Sequence, residues 1–200
     1  MNKVLISLAS VAVVVVAGLG ITASVLNSQM SDQVVITTSK GVIVAKLDAQ
    51  KAPKTVENFQ FYVNESFYDG LIFHRVIKDF MVQVGGFDKE MNRKSPQQTV
   101  VNESIGGLSN LRGTLAMART NAPDSASSQF FINHKDNLFL DGKENKPGYA
   151  VFGKVVEGMD VVDEIANAKT TVKKGMRDVP VDSIMIESVH FLSKLDVLLK

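Results

Sequence analysis

Short runs of β-branched and aromatic residues recur along this 200-residue chain, and glycine or polar residues separate them. The first two runs, residues 34–38 and 42–47, are joined by Ser39-Lys40-Gly41 and predict an antiparallel hairpin. Many short strands favour a closed β-barrel, since closure removes exposed sheet edges, but composition alone does not choose a barrel over a sandwich. The further strand candidates are residues 71–76, 80–84, 114–118, 129–133, 149–156 and 181–192.

Two segments have the apolar spacing of short helices. Pro53 suits the first turn of a helix, and Val56 and Phe59 begin an apolar face that continues to about residue 65. Residues 159–166 carry a second apolar side that includes Ile165. We expect the first helix to cover one end of a barrel, in a single mainly β domain.

An uncharged, mostly apolar run occupies residues 4–26, directly after Lys3. It approaches the ~20 residues that cross a bilayer, whereas signal peptides usually carry about 7 to 15 apolar residues. We therefore expect residues 1–27 to form a hydrophobic helix that is either a cleaved signal peptide or a retained anchor. Either alternative brings the segment to the membrane during export and leaves the folded part periplasmic or otherwise extracytoplasmic, with the Lys3 end inside. The Val-rich centre with its glycines disfavours a buried core helix.

The rest of the chain divides into three parts. The short, polar composition of residues 28–33 predicts a linker. The folded domain is predicted to span residues 34–192. The tail at residues 193–200 is more apolar than a simple solvated end, and it is expected to pack on the domain or on a partner.

Charge and cysteine usage exclude several classes of function. Lys and Arg number 22 against 21 Asp and Glu, so nothing favours a nucleic-acid partner. The absence of Cys excludes disulfides, thiolate zinc sites and cysteine nucleophiles. The three histidines, His74, His134 and His190, do not have the spacing of metal ligands.

The strongest chemical signal is residues 73–87, where Arg75 stands among aromatic and thioether side chains. A permanently charged guanidinium is costly to place on apolar surface without a partner, so the stretch indicates a working site, although a structural cation–π contact is the alternative. Met117-Ala118-Arg119-Thr120 and Ser128-Gln129-Phe130-Phe131-Ile132-Asn133 follow downstream. The three blocks together resemble the cyclophilin family of peptidyl-prolyl cis-trans isomerases, from about residue 34 to 191.

The resemblance implies an eight-stranded antiparallel barrel, a helix over each opening and an active groove on the outer wall. It also implies that Arg75 donates a hydrogen bond to the prolyl nitrogen, which stabilises the twisted bond more than the planar one. Such a reaction requires no nucleophile, cofactor or metal. Gln83, on the next strand candidate, could hold the guanidinium in place.

The remaining site residues are assigned to the bound peptide. Phe80 is placed with Arg75 and Gln83 in the catalytic set and also belongs to the pocket for the proline ring. By resemblance, Arg119 offers mainly backbone groups, Gln129 adds a side-chain hydrogen bond, and Tyr149 lies near the substrate carbonyl. The apolar residues could instead be plain core, and His74 could be a packed histidine rather than a substrate contact. The other predicted contacts with the peptide are Met81, Phe131, Phe139, Leu140 and His74.

The sequence thus predicts a monomeric isomerase that binds proline-containing polypeptides during the folding of exported proteins. The alternative is a proline-peptide binding or chaperone module with little turnover. A hydrolase is a third class, but no nucleophile-elbow motif supports it.

Phe139 takes the place where cyclosporin-sensitive members of the family carry tryptophan, and the chain has no tryptophan. We therefore predict weak cyclosporin binding, as the resemblance to bacterial members of the family implies. Isothermal calorimetry checks this, and a tight complex would contradict it.

Overall fold

The computed structural model describes residues 30–193, which form ten strands and two α-helices. Two short 3-10 turns, Pro123–Ser125 and Leu138–Leu140, lie in the loops. The helices are α1 (Pro53–Asn64) and α2 (Met159–Ala166). The strands are β1 (Met30–Thr38), β2 (Gly41–Leu47), β3 (Arg75–Ile77), β4 (Met81–Val84), β5 (Thr114–Met117), β6 (Phe130–Asn133), β7 (Val151–Glu157), β8 (Thr170–Lys173), β9 (Met176–Pro180) and β10 (Ile186–Ser193).

Eight strands form one antiparallel sheet in the order β10-β1-β2-β7-β5-β6-β4-β3, which confirms the mainly β prediction. The sheet is curled, and backbone contacts join the segments that precede its two edge strands, β3 and β10. An isolated bridge pairs Ile72 with Met185, and the Phe73 N–H donates to the Ile184 carbonyl at 2.9 Å. No continuous ladder joins β3 to β10 within residues 30–193, so the closed barrel of the prediction is not confirmed in that form.

Helix α1 begins at Pro53, whose missing N–H costs nothing in the first turn. Its capping residue makes no side-chain hydrogen bond, but Glu103 in a distant loop accepts from the Thr55 N–H at 2.8 Å and from the Thr55 hydroxyl at 2.7 Å. A carboxylate at this end satisfies free backbone donors and suits the helix dipole. The buried Phe59 then packs edge-on against Phe130, with ring centroids 5.4 Å apart, and fixes the helix over the core.

The sheet has apolar groups on both faces. On the inner face, Val76, Val82 and Ile132 are paired across β3, β4 and β6 and belong to the main core. The intervening residues point outward, where Phe131 and Ala116 are paired and belong to a second, smaller apolar cluster. Because side chains alternate along a strand, the outer wall carries its own apolar surface.

Three predictions differ from the structure. Strand β1 begins at Met30, so residues 30–33 belong to the sheet rather than to a linker, and Gln33 pairs with Lys46. The closing strand begins at Ile186 rather than at residue 181. The hairpin of β8 and β9 was not predicted, because its residues are largely exposed and lack an alternating apolar pattern.

The predicted hydrophobic helix at residues 1–27 lies outside the described residues. Of the predicted tail at residues 193–200, Ser193 ends β10 and the rest lies outside the described residues. Within residues 30–193, no helix has the length and apolar character needed to cross a membrane.

Candidate active site

Arg75 opens β3 and lies directly opposite Gln83 on β4, which in turn lies opposite Phe131 on β6. This outward row places a cation, an amide and an aromatic ring side by side on the outer wall. The Arg75 side chain is 41% exposed, and its Nε atom lies 4.0 Å from Asp178 Oδ2 on β9. At that distance and exposure the carboxylate steers the guanidinium without occupying its donors.

A cavity of about 120 Å³ opens beside the guanidinium. It unites residues from strands β3, β4 and β6 with residues from the loops after β5 and β6. Six of its nine lining residues are apolar or aromatic and three are polar or charged, a combination typical of a binding site. Its lining consists of Arg75, Phe80, Met81, Gln83, Ala118, Arg119, Phe131, Leu140 and Tyr149, so eight predicted site residues lie together.

The side chain of Gln83 has a partner that was not predicted. Its Nε2 donates to Gln129 Oε1 at 2.9 Å, while the register places Gln83 directly opposite Arg75, so its predicted role of holding the guanidinium stays a prediction. Gly86 makes room for the pair, because a Cβ there would meet Gln129 Cδ at 2.5 Å. Gln129 therefore lies behind the cavity rather than on its lining, and it fixes the amide beside Arg75.

The guanidinium of Arg119 is committed to the neighbouring loop. Its Nε donates to the Gly148 carbonyl at 2.8 Å and its Nη2 to the Pro147 carbonyl at 2.7 Å. It also lies over the ring of Tyr149, 4.8 Å from the centroid, which is a cation–π contact. These contacts hold Tyr149 at the cavity and engage the guanidinium of Arg119, and the role of its backbone toward a peptide stays a prediction.

Leu140 lines the cavity, but its neighbour Phe139 does not. Phe139 is 70% exposed and stacks on Phe80, with centroids 5.8 Å apart and planes inclined by 21°. It therefore lies at the rim, behind Phe80, where it supports that ring.

His74 has a different environment from its neighbour Arg75. Its side chain is 1% exposed, does not line the cavity and packs against Phe87, with ring centroids 4.8 Å apart. The structure therefore matches the packed-histidine alternative rather than a substrate contact. Burial lowers the pKa of His74 to about 4, because desolvation disfavours the imidazolium, and the charge of Arg75 also lowers it.

Two neighbours of the site were missed. Ala118 belongs to the sequence block of residues 117–120, but it was not among the predicted pocket residues. Asp178 belongs to the unpredicted hairpin, for which Gly175 in the turn, with a φ of 80°, was the available signal. The contact with Arg75 brings together residues more than 100 positions apart, which local patterns do not reveal.

A larger cavity of about 680 Å³ lies elsewhere on the outer wall, between β2, β7 and the loop before β5. Leu47, Leu108 and Val156 are among its lining residues, with Lys46 and Lys154 near them. None of the residues in the three sequence blocks lines it, so we take the smaller cavity beside Arg75 as the candidate site.

Together, these elements place an exposed cation on the outer wall of a curled antiparallel sheet, beside a hollow that aromatic and aliphatic side chains help to line. A family model described as cyclophilin type peptidyl-prolyl cis-trans isomerase/CLD matches residues 33–191. The chain therefore belongs to the cyclophilin family of peptidyl-prolyl cis-trans isomerases, which confirms the enzyme class predicted from the sequence.

Individual relatives agree with this assignment. Peptidyl-prolyl cis-trans isomerase A of Dickeya dadantii is 50% identical over 183 residues, covering 92% of this chain and 96% of the relative. Peptidyl-prolyl cis-trans isomerase B of Escherichia coli is 51% identical over 155 residues, covering 76% and 94%. A Cryptosporidium parvum cyclophilin crystallised in the presence of the dipeptide Ala-Pro superposes with a TM-score of 0.67 at 26% identity, covering 81% and 99%.

The buried His74 predicts a specific pH dependence of stability. An ordinary histidine in the unfolded chain is protonated below about pH 6.5, while His74 stays neutral in the folded chain down to about pH 4. The unfolded state thus binds more protons, and stability falls as the pH drops through this window. Between pH 7.5 and 4.5 the wild type should lose about 2.5 kcal/mol more unfolding free energy than His74→Asn.

Urea unfolding at the two pH values measures this difference. His190→Asn is the matched control, since His190 is exposed on β10, and it should keep the wild-type pH dependence. Parallel curves for His74→Asn and the wild type would show that His74 is not the responsible group.

Proposed function

We propose that this chain accelerates cis-trans isomerisation of X-Pro bonds through hydrogen-bond donation from Arg75 to the prolyl nitrogen. The observation that carries the proposal is the position of Arg75, a partly exposed cation in the lining of a cavity that Phe80 and Phe131 also line. The cavity suits a proline ring and sets it beside the cation. The crystallisation of a relative in the presence of Ala-Pro supports a proline-containing peptide as the ligand.

The chemistry follows from the electronic structure of the amide. The nitrogen lone pair is shared with the carbonyl, which creates a barrier of ~18–20 kcal/mol. When the bond twists, that lone pair localises on nitrogen and becomes a better acceptor. A donor aimed at it therefore binds the twisted state more strongly than the planar one, which lowers the barrier.

Arg75 suits this role because its charge does not depend on physiological pH and its donors have a fixed planar geometry. The Asp178 carboxylate lies 4.0 Å from Nε, beyond hydrogen-bond distance, and the Arg75 side chain is 41% exposed, so a substrate can reach the guanidinium. The Gln83–Gln129 pair offers a further amide group beside the cation. Peptide groups next to the proline can hydrogen bond there.

We place the enzyme outside the cytoplasmic membrane, as a monomer that assists the folding of exported proteins. The support is the apolar run at residues 4–26 after Lys3. Uncatalysed prolyl isomerisation takes ~10–100 s at 25 °C, so exported chains that fold after translocation would gain from a catalyst. Weak cyclosporin binding belongs to the same proposal, with Phe139 at the rim of the cavity.

Arg75→Ala is expected to lower kcat/KM on a proline tetrapeptide on the order of 100-fold or more, as loss of one transition-state donor does. Binding of the peptide should fall much less, because the apolar pocket remains. Arg177→Ala is the matched control, since Arg177 is an exposed arginine on the neighbouring β9 that does not line the cavity. A wild type that binds the peptide without turnover would favour the binding-module alternative, and an unchanged kcat/KM in Arg75→Ala would refute the mechanism.

The proposed location predicts that the protein is recovered from the periplasm or the membrane after cell fractionation. N-terminal sequencing of the product separates the two forms, because a cleaved chain begins after the apolar run and an anchored one keeps Lys3. Recovery of the intact chain in the cytoplasm would contradict the proposal.

A further inference from the structure

The turn that presents Phe80 to the cavity requires an unusual backbone conformation. The Phe80 N–H donates to the Ile77 carbonyl at 3.1 Å, so residues 77–80 form a four-residue turn between β3 and β4. Asp79, its third residue, has a φ of 57°, in the left-handed region that favours glycine or asparagine at this place. This conformation costs a non-glycine residue free energy, and it persists only where neighbouring groups stabilise it.

His134 makes two of the hydrogen bonds that hold this turn. The Asp79 N–H donates to His134 Nδ1 at 3.0 Å, and the His134 N–H donates to the Phe80 carbonyl at 2.9 Å. The Asn137 Nδ2 donates to the same carbonyl, also at 2.9 Å. Both peptide groups of Asp79 and Phe80 are thereby fixed from the segment that follows β6.

The imidazole is itself held in one orientation. Because Nδ1 accepts a hydrogen bond, the proton of the neutral ring is on Nε2, which lies 3.2 Å from Asp163 Oδ1 on α2. Arg112 Nη2 donates to both oxygens of Asp163, at 2.7 and 2.8 Å, and Arg112 Nη1 donates to the His134 carbonyl at 2.6 Å. With only 9% of His134 exposed, the ring has little freedom to turn.

We propose that His134 is a positioning residue of the isomerase site, and that its Nδ1 lone pair maintains the turn that aims Phe80 at the proline ring. This inference rests on the proposed function, in which Phe80 contacts the substrate. The ring of His134 does not line the cavity, so its effect passes through the backbone of Asp79 and Phe80. A small displacement of a group that orients the substrate is enough to reduce the rate.

Two substitutions by amide side chains distinguish the role of the ring nitrogen Nδ1 from that of Nε2. In His134→Asn the side-chain oxygen can take the place of Nδ1, so the Asp79 N–H keeps an acceptor. In His134→Gln the longer side chain extends to the position of Nε2, next to Asp163. It leaves the Asp79 N–H without an acceptor. Both are neutral and polar, so a difference between them reports on the position of the acceptor rather than on loss of histidine.

We expect kcat/KM of His134→Gln to fall on the order of tenfold, while His134→Asn stays within about twofold of the wild type. His134→Gln combined with Asp79→Gly should recover part of the loss, since glycine adopts the left-handed conformation without a Cβ penalty. His190→Gln is the matched control on an exposed histidine and should match the wild type. The isomerase activity of each variant is measured under conditions in which circular dichroism shows that all the variants are folded.

Amide hydrogen exchange at Asp79 gives a readout independent of activity. Protection should be lost in His134→Gln and kept in His134→Asn. Equal kcat/KM in the wild type and His134→Gln, or equal Asp79 protection in the two variants, would overturn the positioning role. An inactive wild type would instead overturn the proposed function itself.

Discussion

The pairing register of β3, β4 and β6 is the constraint on which the rest of the site depends. It aligns Arg75, Gln83 and Phe131 in one outward row, while Val76, Val82 and Ile132 form the inward row that belongs to the core. A slip of one residue would turn the charged row inward and the valines outward. Burial of the inner row therefore also fixes which chemistry the outer wall presents.

The loops around this row are held by polar side chains rather than by apolar packing alone. Arg119 fastens the loop that precedes Tyr149, through the carbonyls of Pro147 and Gly148. Asn137 and His134 fasten the turn that carries Phe80. Loop backbone has many donors and acceptors that a sheet does not satisfy, so hydrogen bonds of this kind determine how accurately the cavity is shaped.

Local patterns predicted the elements that have strong periodicity. The β1–β2 hairpin and α2 agree with the sequence because β-branched alternation and a helical apolar stripe are short-range signals. The β8–β9 hairpin has no such signal, and its Asp178 reaches Arg75 only through tertiary structure. The eight cavity residues were found through the family resemblance, whereas the Gln83–Gln129 bond depends on cross-strand geometry that spacing along the chain does not encode.

In the proposed mechanism, proline binds on the outward row, with the Arg75 cation beside the prolyl nitrogen. The most direct test is a crystal structure of this chain with an Ala-Pro dipeptide. We expect the proline ring against Phe131 and Met81, with a guanidinium nitrogen of Arg75 about 3 Å from the prolyl nitrogen. A dipeptide bound in the larger cavity beside Leu108 and Val156, with the space next to Arg75 empty, would contradict it.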